Sequence, residues 1–238
     1  MSSELLFYAN VQHDISLIEP SLKYLNEFIE QKSKLNKKER NLFGLIYKDA
    51  IDPIRSNLRV FKSYIMNESE DSEILTFLQD HYNKALCDLN NKCNQALDLI
   101  KEKLLDAAES ASAKAFFHKM SGDIYRYMNE FEEDNKELLN NADLEYNKAI
   151  TIANTNLSYG HPVRLGSILN YAVFLFEHCQ NREKAIDIIK NSLAEVANDT
   201  TTLSLSNQKE TVDIINTMQK NLEYWNPVSS SSDDEEEN

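Results

Sequence analysis

Lys48, Arg55 and Arg59 fall at intervals of seven and four residues. On an α-helix such intervals place all three head groups on one stripe. In another segment Arg126 and the adjacent Tyr127 offer a further guanidinium and a neutral hydroxyl. If they converge, these forks, the ammonium and the phenol suit one dianionic tetrahedral group, because Arg donates bidentately to phosphate oxygens and Tyr adds a donor without charge. The same residues also fit ordinary i,i+4 ion pairing at a surface, and spacing alone does not separate the two readings. Cations on mostly apolar helical faces need an anion. Asp123 or Glu130 is available to supply one, for Arg59 in particular.

These residues sit in segments with helical periodicity. The run Asn41 to Val60 and the run Met120 to Phe131 each keep their aliphatic and aromatic residues on one face. The first belongs to a predicted helix over 37–66, with a kink expected between Asp49 and Pro53 where the proline removes a backbone bond. Before it, helices over 4–13 and from Ser16 or Glu19 to Gln31 read as a hairpin, with Pro20 tolerable in the first turn of the second. After it come helices over 73–105, with a capping serine at the break 67–72, then over 110–131 and 134–156. Ser158 to Pro162 reads as a glycine-and-proline stop. Helices over 163–179, 182–198 and 206–225 complete nine. The echo Tyr82-Asn83-Lys84-Ala85-Leu86, Tyr146-Asn147-Lys148-Ala149-Ile150 and Lys184-Ala185-Ile186 suggests stacked hairpins close to a tetratricopeptide period.

With 4 Gly and 4 Pro in 238 residues, the chain has few of the turns that strands need. The expected fold is therefore all-α, a single domain of about nine antiparallel helices in a tetratricopeptide-like array with a concave amphipathic groove. That domain spans 1–227; residues 228–238, four serines followed by acidic residues, read as a disordered tail. No apolar run reaches the roughly 20 residues of a membrane span, and no signal peptide is evident, so a cytoplasmic protein without membrane association is expected. A formal net charge of −14 argues against nucleic-acid binding. Cys87, Cys93 and Cys179 read as buried free thiols. No metal, P-loop or nucleophile motif is present to argue catalysis from, so neither enzyme activity nor a cofactor is expected.

Four stretches carry a more specific signal: Asn41 to Val60, Gly122-Asp123-Ile124-Tyr125-Arg126-Tyr127, His161 to Phe174, and Asn221-Leu222-Glu223-Tyr224-Trp225. In order and spacing they resemble the 14-3-3 family over roughly residues 3 to 226. The resemblance implies a dimeric, all-helical adaptor that grips phosphoserine or phosphothreonine segments of other proteins. It carries Lys48, Arg55, Arg126 and Tyr127 onto the phosphate-binding positions, and Asn170 and Asn221 onto the two asparagines that hold the ligand main chain. Lys119, Leu169, Val173, Glu177, Ile214 and Trp225 match further groove positions. Helical spacing agrees independently, since Asn170, Val173 and Glu177 share one stripe, as do Ile214, Thr217, Asn221 and Tyr224.

The sequence also departs from the family pattern. Thr217 and Tyr224 stand where leucine is usual and Asp213 replaces an apolar residue, giving a more polar and bulkier wall. Ile15 to Ser21 replaces a charged run that supplies interface salt bridges in the family, so a homodimer here is expected to rest on apolar contacts of Leu17, Leu58 and Tyr82. The acidic tail, tethered just beyond Trp225, is placed to compete for a basic groove. The competing reading is a tetratricopeptide-like scaffold or acidic chaperone that binds unphosphorylated partners.

Overall fold

The computed structural model describes residues 2–69, 72–132, 135–199 and 204–226. Among these the chain forms nine α-helices and no strand: α1 Ser2–Asp14, α2 Ile18–Gln31, α3 Lys37–Asn67, α4 Glu73–Leu99, α5 Ala111–Asn129, α6 Lys136–Asn156, α7 Pro162–Glu177, α8 Arg182–Ala197 and α9 Leu205–Trp225. The boundaries follow local chemistry. Asn36 caps α3 by accepting from the Glu39 N–H at 3.1 Å, while Glu39 returns a bond to the Asn36 N–H at 2.8 Å. Ser72, Ser110, Asn135 and Asn181 each accept from a first-turn N–H of α4, α5, α6 and α8. The expected acidic tail, 228–238, lies outside the described residues, as does Asp134.

Helices adjacent in sequence pack in pairs, α1 on α2, α3 on α4, α5 on α6 and α7 on α8. Short connections between packed helices make such pairs hairpins. Two cores result. One is built around Leu25, Phe43, Tyr47, Leu58, Leu89 and Phe117 of the N-terminal half. The other is built around Tyr146, Leu165, Phe174, Ile189 and Met218 of the C-terminal half. Tyr125 of α5 packs against both, so α5 is the shared wall between them.

Several details differ from the sequence-based expectation. The α-helical part of α4 stops at Leu99, and a π turn over Ile100–Leu104 continues it, with the Leu105 N–H donating to the Ile100 carbonyl at 2.9 Å. That wider turn keeps Ile100 and Leu104 fully buried. Gly160 does not supply a left-handed cap, because α6 closes on extended backbone at Leu157 and no glycine has positive φ. Instead the buried Gly160 peptide donates to Asp199 Oδ2 at 2.9 Å and accepts from Thr211 Oγ1 at 2.6 Å, tying the α6–α7 link to α9. Cys87, expected buried, is exposed, whereas Cys93 is buried and its thiol is pushed up to about 12 by that burial. Leu58, expected at a dimer face, is fully enclosed within its own chain and presents no surface. Its spacing marked a buried stripe of α3, which one sequence cannot distinguish from an interface.

Candidate functional site

Two of the three guanidinium groups singled out in the sequence share one aromatic ring. Arg55 of α3 lies over the ring of Tyr127 at 3.9 Å from its centroid, and Arg126 of α5 lies over the same ring at 4.9 Å. Asp52 links Lys48 to Arg55, accepting from Lys48 Nζ at 2.5 Å and from Arg55 Nη1 at 2.9 Å. Glu130 links Arg55 to Arg59. It accepts from Arg55 Nε and Nη2 at 2.9 and 2.6 Å and from Arg59 Nε. The Lys48–Asp52 pair is also an i,i+4 ion pair on α3.

Asp123 anchors the other side of the cluster. Its buried carboxylate accepts from Lys119 Nζ at 2.8 Å, from the Tyr146 hydroxyl at 2.6 Å and from the Asn170 amide at 2.8 and 3.0 Å. The Tyr146 oxygen accepts in turn from Arg126 Nε at 3.2 Å. One acid thus fixes Lys119, Asn170 and, through Tyr146, Arg126. Gly122 makes this possible, because a Cβ there would stand 2.8 Å from the Tyr146 ring. The sequence marked Asp123 only as a possible counter-ion and Tyr146 only as part of an internal echo. Nothing local to either residue signals that a buried tyrosine from α6 bridges them.

The electrostatics follow from this packing. Burial opposes ionisation of Asp123, but Lys119 and Arg126 outweigh it and hold its carboxyl below the usual range. Burial likewise opposes the charge on Glu130, and Arg59 and Arg55 reverse the balance downward. Arg126 is buried enough to disfavour its charge, yet Tyr146 and Asp123 raise its affinity for the proton. Burial and then Asp123 raise the Tyr127 phenol, so it stays neutral and able to donate. Five cations, Lys48, Arg55, Arg59, Lys119 and Arg126, meet four carboxylates, Asp52, Asp123, Glu130 and Glu177. The cluster is thus locally positive in a chain of net charge −14.

Donors remain uncommitted. Arg126 Nη2 and Nη1 stand 3.9 and 3.8 Å from Asp123 and Glu177, beyond hydrogen-bond reach. Among the described residues the Tyr127 hydroxyl and the Asn221 amide have no hydrogen-bond partner in the protein. A polar hollow of about 540 Å³ opens onto Arg55, Arg59, Arg126, Glu130 and Glu177. A second, of about 320 Å³, is lined by Lys48, Tyr127, Lys119, Asn41, Gly44, Leu45 and Phe116. A third, of about 420 Å³, shares Asn41, Phe116 and Lys119 with the second and reaches Gly166, Asp213 and Ile214. All three follow α3, from Lys37 and Arg40 through Lys48 to Arg55 and Arg59, and the second and third share a wall. Asn41, Gly44 and Phe116 were missed in the sequence, although Asn41, Gly44 and Lys48 fall at i, i+3 and i+7 on the stripe that carries Arg55.

The expected apolar wall is more divided. Leu169 is buried, Val173 and Ile214 are half-buried, and Glu177 and Thr217 are exposed, the latter with its hydroxyl bonded to the Asp213 carbonyl at 2.9 Å. Tyr224 is 80% exposed. Trp225 does not line any of the three hollows; it is 4% exposed and stacks on Phe176 at 4.5 Å, pinning the end of α9 into the C-terminal core. Its place at the end of an amphipathic stripe fits either position. Leu17 is exposed and Tyr82 is half-buried.

The fold agrees with what comparison shows. A model of the 14-3-3 protein family matches residues 8–226. The chain is 30% identical to 14-3-3-like protein D of Nicotiana tabacum, over 92% of this chain and 91% of the relative. It is 32% identical to 14-3-3-like protein 1 of Caenorhabditis elegans, over 90% and 86%, and 30% identical to human 14-3-3 protein theta, over 86% and 84%. The chain belongs to the 14-3-3 family, as a divergent member. Among the described residues no helix is long and apolar enough to cross a membrane.

Proposed function

We propose that the chain is an adaptor that holds phosphoserine or phosphothreonine segments of other proteins in the hollows along α3, without turnover. Family membership supports phosphoprotein binding in general. The observation that carries the finer reading is the stacking of Arg55 and Arg126 on one tyrosine, with Arg126 Nη atoms and the Tyr127 hydroxyl left uncommitted. A phosphate in the hollow of Arg55, Arg59 and Arg126 takes those donors and a share of the protons that Lys48 and Arg55 give to Asp52. The Asn170 amide nitrogen is spent on Asp123, so Asn170 meets the bound main chain through its carbonyl oxygen, accepting an N–H. Asn221 offers both groups. Lys119, Leu169, Val173, Glu177, Ile214, Thr217 and Tyr224 flank the segment, and Trp225 acts beneath it by holding α9.

Two further parts of the proposal concern assembly and control. The chain forms a homodimer through apolar residues that a lone protomer leaves open, among them Phe7, Tyr8 and Leu17 on α1 and the turn after it, and Tyr64, Met66 and Phe77 on α3 and α4. Tyr82 flanks this surface and Leu58 supports it from beneath. The tail 228–238 competes for the groove through its carboxylates, at an effective concentration of order millimolar for a short tether.

The test is a fluorescence-anisotropy titration of a phosphoserine peptide and its unphosphorylated twin. Wild-type protein is expected to bind only the phosphorylated form. Lys48→Ala, an exposed change, is expected to weaken it, and Arg55→Ala with Arg126→Ala to abolish it. Equal binding of both twins rejects the reading in favour of a scaffold for unphosphorylated partners. Deleting 228–238 is expected to tighten binding, and unchanged affinity at low salt rejects the tail as a competitor.

A further inference from the structure

Arg40, in the first turns of α3, is 8% exposed, yet no carboxylate among the described residues pairs with it. Its hydrogen bonds among the described residues amount to one, from Nη1 to the Leu35 carbonyl at 3.0 Å. Nε is buried without a partner, and burial depresses the proton affinity of the whole group. Its near neighbour Glu39 is committed to Lys32 at 2.6 Å and to the cap of α3. A buried, unpaired guanidinium is costly unless an anion meets it. Nη2 has no hydrogen-bond partner among the described residues and is not fully enclosed, and Arg40 lines the hollow of about 420 Å³.

The surroundings select the anion. Lys37, at the mouth, is satisfied by Glu210 at 2.9 Å and Asn207 at 2.8 Å, and Lys119 by Asp123, so Arg40 is the wall's unspent positive charge. His161 accepts the Val163 N–H on Nδ1 at 3.1 Å, which leaves the proton of the neutral ring on Nε2 as a donor. Ser112 and Asn41 add uncharged polar groups. Asp213, exposed and without an ion-pair partner among the described residues, already contributes one negative charge to the lining. One buried cation, neutral donors and an exposed carboxylate fit a monoanion better than a dianion.

The hollow shares Asn41, Phe116 and Lys119 with the one lined by Lys48 and Tyr127, and the helix that walls both goes on to Arg55. Arg40 and Arg55 are on the same helix, fifteen residues apart, hence about 22 Å along its axis. An extended segment covers that distance in about seven residues. We infer that a carboxylate side chain on the bound segment, about seven residues from its phosphorylated residue, docks at Arg40 and gives the segment a second anionic anchor. The inference rests on the phosphopeptide reading and adds a sequence preference to it.

The experiment scans a single Asp, against Asn, through positions five to nine residues on either side of the phosphoserine in an otherwise uncharged peptide, read by anisotropy at fixed salt. One narrow register on one side is expected to bind roughly tenfold tighter as Asp. In Arg40→Gln the Asp-to-Asn ratio at that register is expected to fall to about one while the Asn peptide still binds. Should Arg40→Gln unfold, Asp213→Asn, at an exposed position, is expected to raise the same ratio. An Asp effect absent at every register, or one that survives Arg40→Gln, overturns the subsite while leaving phosphate-dependent binding intact. If no phosphorylated peptide binds a folded protein, the adaptor reading falls and this inference with it.

Discussion

Tyr146 shows how much a single hydroxyl can organise. It donates to Asp123 at 2.6 Å and accepts from Arg126 at 3.2 Å, so it sets both the charge and the aim of the arginine. Tyr146→Phe keeps the ring against Phe174 and Tyr171 but leaves the buried carboxylate short of one donor. Losing one partner of a buried charged hydrogen bond costs about 1 to 3 kcal/mol. Urea unfolding is expected to show that loss, and phosphopeptide affinity to drop several-fold with the main-chain contacts intact; unchanged values in both would remove Tyr146 from the site. Asp123, Glu130 and Glu145 all have carboxyls held below their ordinary range, the first two by the site cations and Glu145 by His118 and Lys148 against its burial. A depressed folded-state value means the unfolded chain binds protons first. The stability these groups give is complete above about pH 4 to 4.5 and is lost as pH falls through their folded values. A urea midpoint that holds steady from pH 5 down to pH 3 would contradict this.

At the scale of elements, the α5–α6 contact is set by a missing side chain. Alanine is ordinarily favoured over glycine in a helix by about 1 kcal/mol. At Gly122 the added methyl would stand within 2.9 Å of three atoms of a fully buried ring. Overpacking of that kind costs about 1 to 3 kcal/mol, so Gly122→Ala is expected to lower the thermal midpoint by several degrees. It should also weaken phosphopeptide binding by displacing Tyr146; a raised midpoint would show the rings have room to move. Here the limits of sequence reading are visible in particular residues. Helix positions were legible because the caps Asn36, Ser72 and Ser110 and the apolar period are local signals, and the convergence of Arg55 with Arg126 followed from family motifs. Tertiary placement was not local. Leu58 and Trp225 had the spacing of surface stripes but are packed inward, and Gly160 serves a bridge to Asp199 and Thr211 that lie far along the chain. Arg40 carried no motif at all, since what marks it is the absence of a carboxylate.

The whole molecule joins a locally positive cluster to a strongly negative surface and an incomplete apolar one. Phe7, Tyr64 and Phe77 are 63%, 64% and 58% exposed, and Met66 is 76% exposed. Exposed apolar side chains of this kind are what the proposed dimer would cover, in a protein whose net charge otherwise keeps copies apart. Association that rests on apolar area, as proposed, should weaken little with salt. Sedimentation equilibrium is expected to give a dimer mass at micromolar concentration, nearly unchanged between 50 mM and 500 mM salt, and a monomer for Tyr64→Glu combined with Phe77→Glu. Peptide binding answers differently to the same salt, because its main term is the pairing of a phosphate with Arg55 and Arg126 and is partly screened. The two dependences therefore separate the two surfaces. A doubly phosphorylated peptide long enough to reach both grooves gains avidity only while the dimer persists. Its advantage over a singly phosphorylated peptide should vanish in the double glutamate variant, while the single-site affinity, set within one protomer, stays as it was. Equal advantage in monomer and dimer would place the second phosphate within a single chain instead.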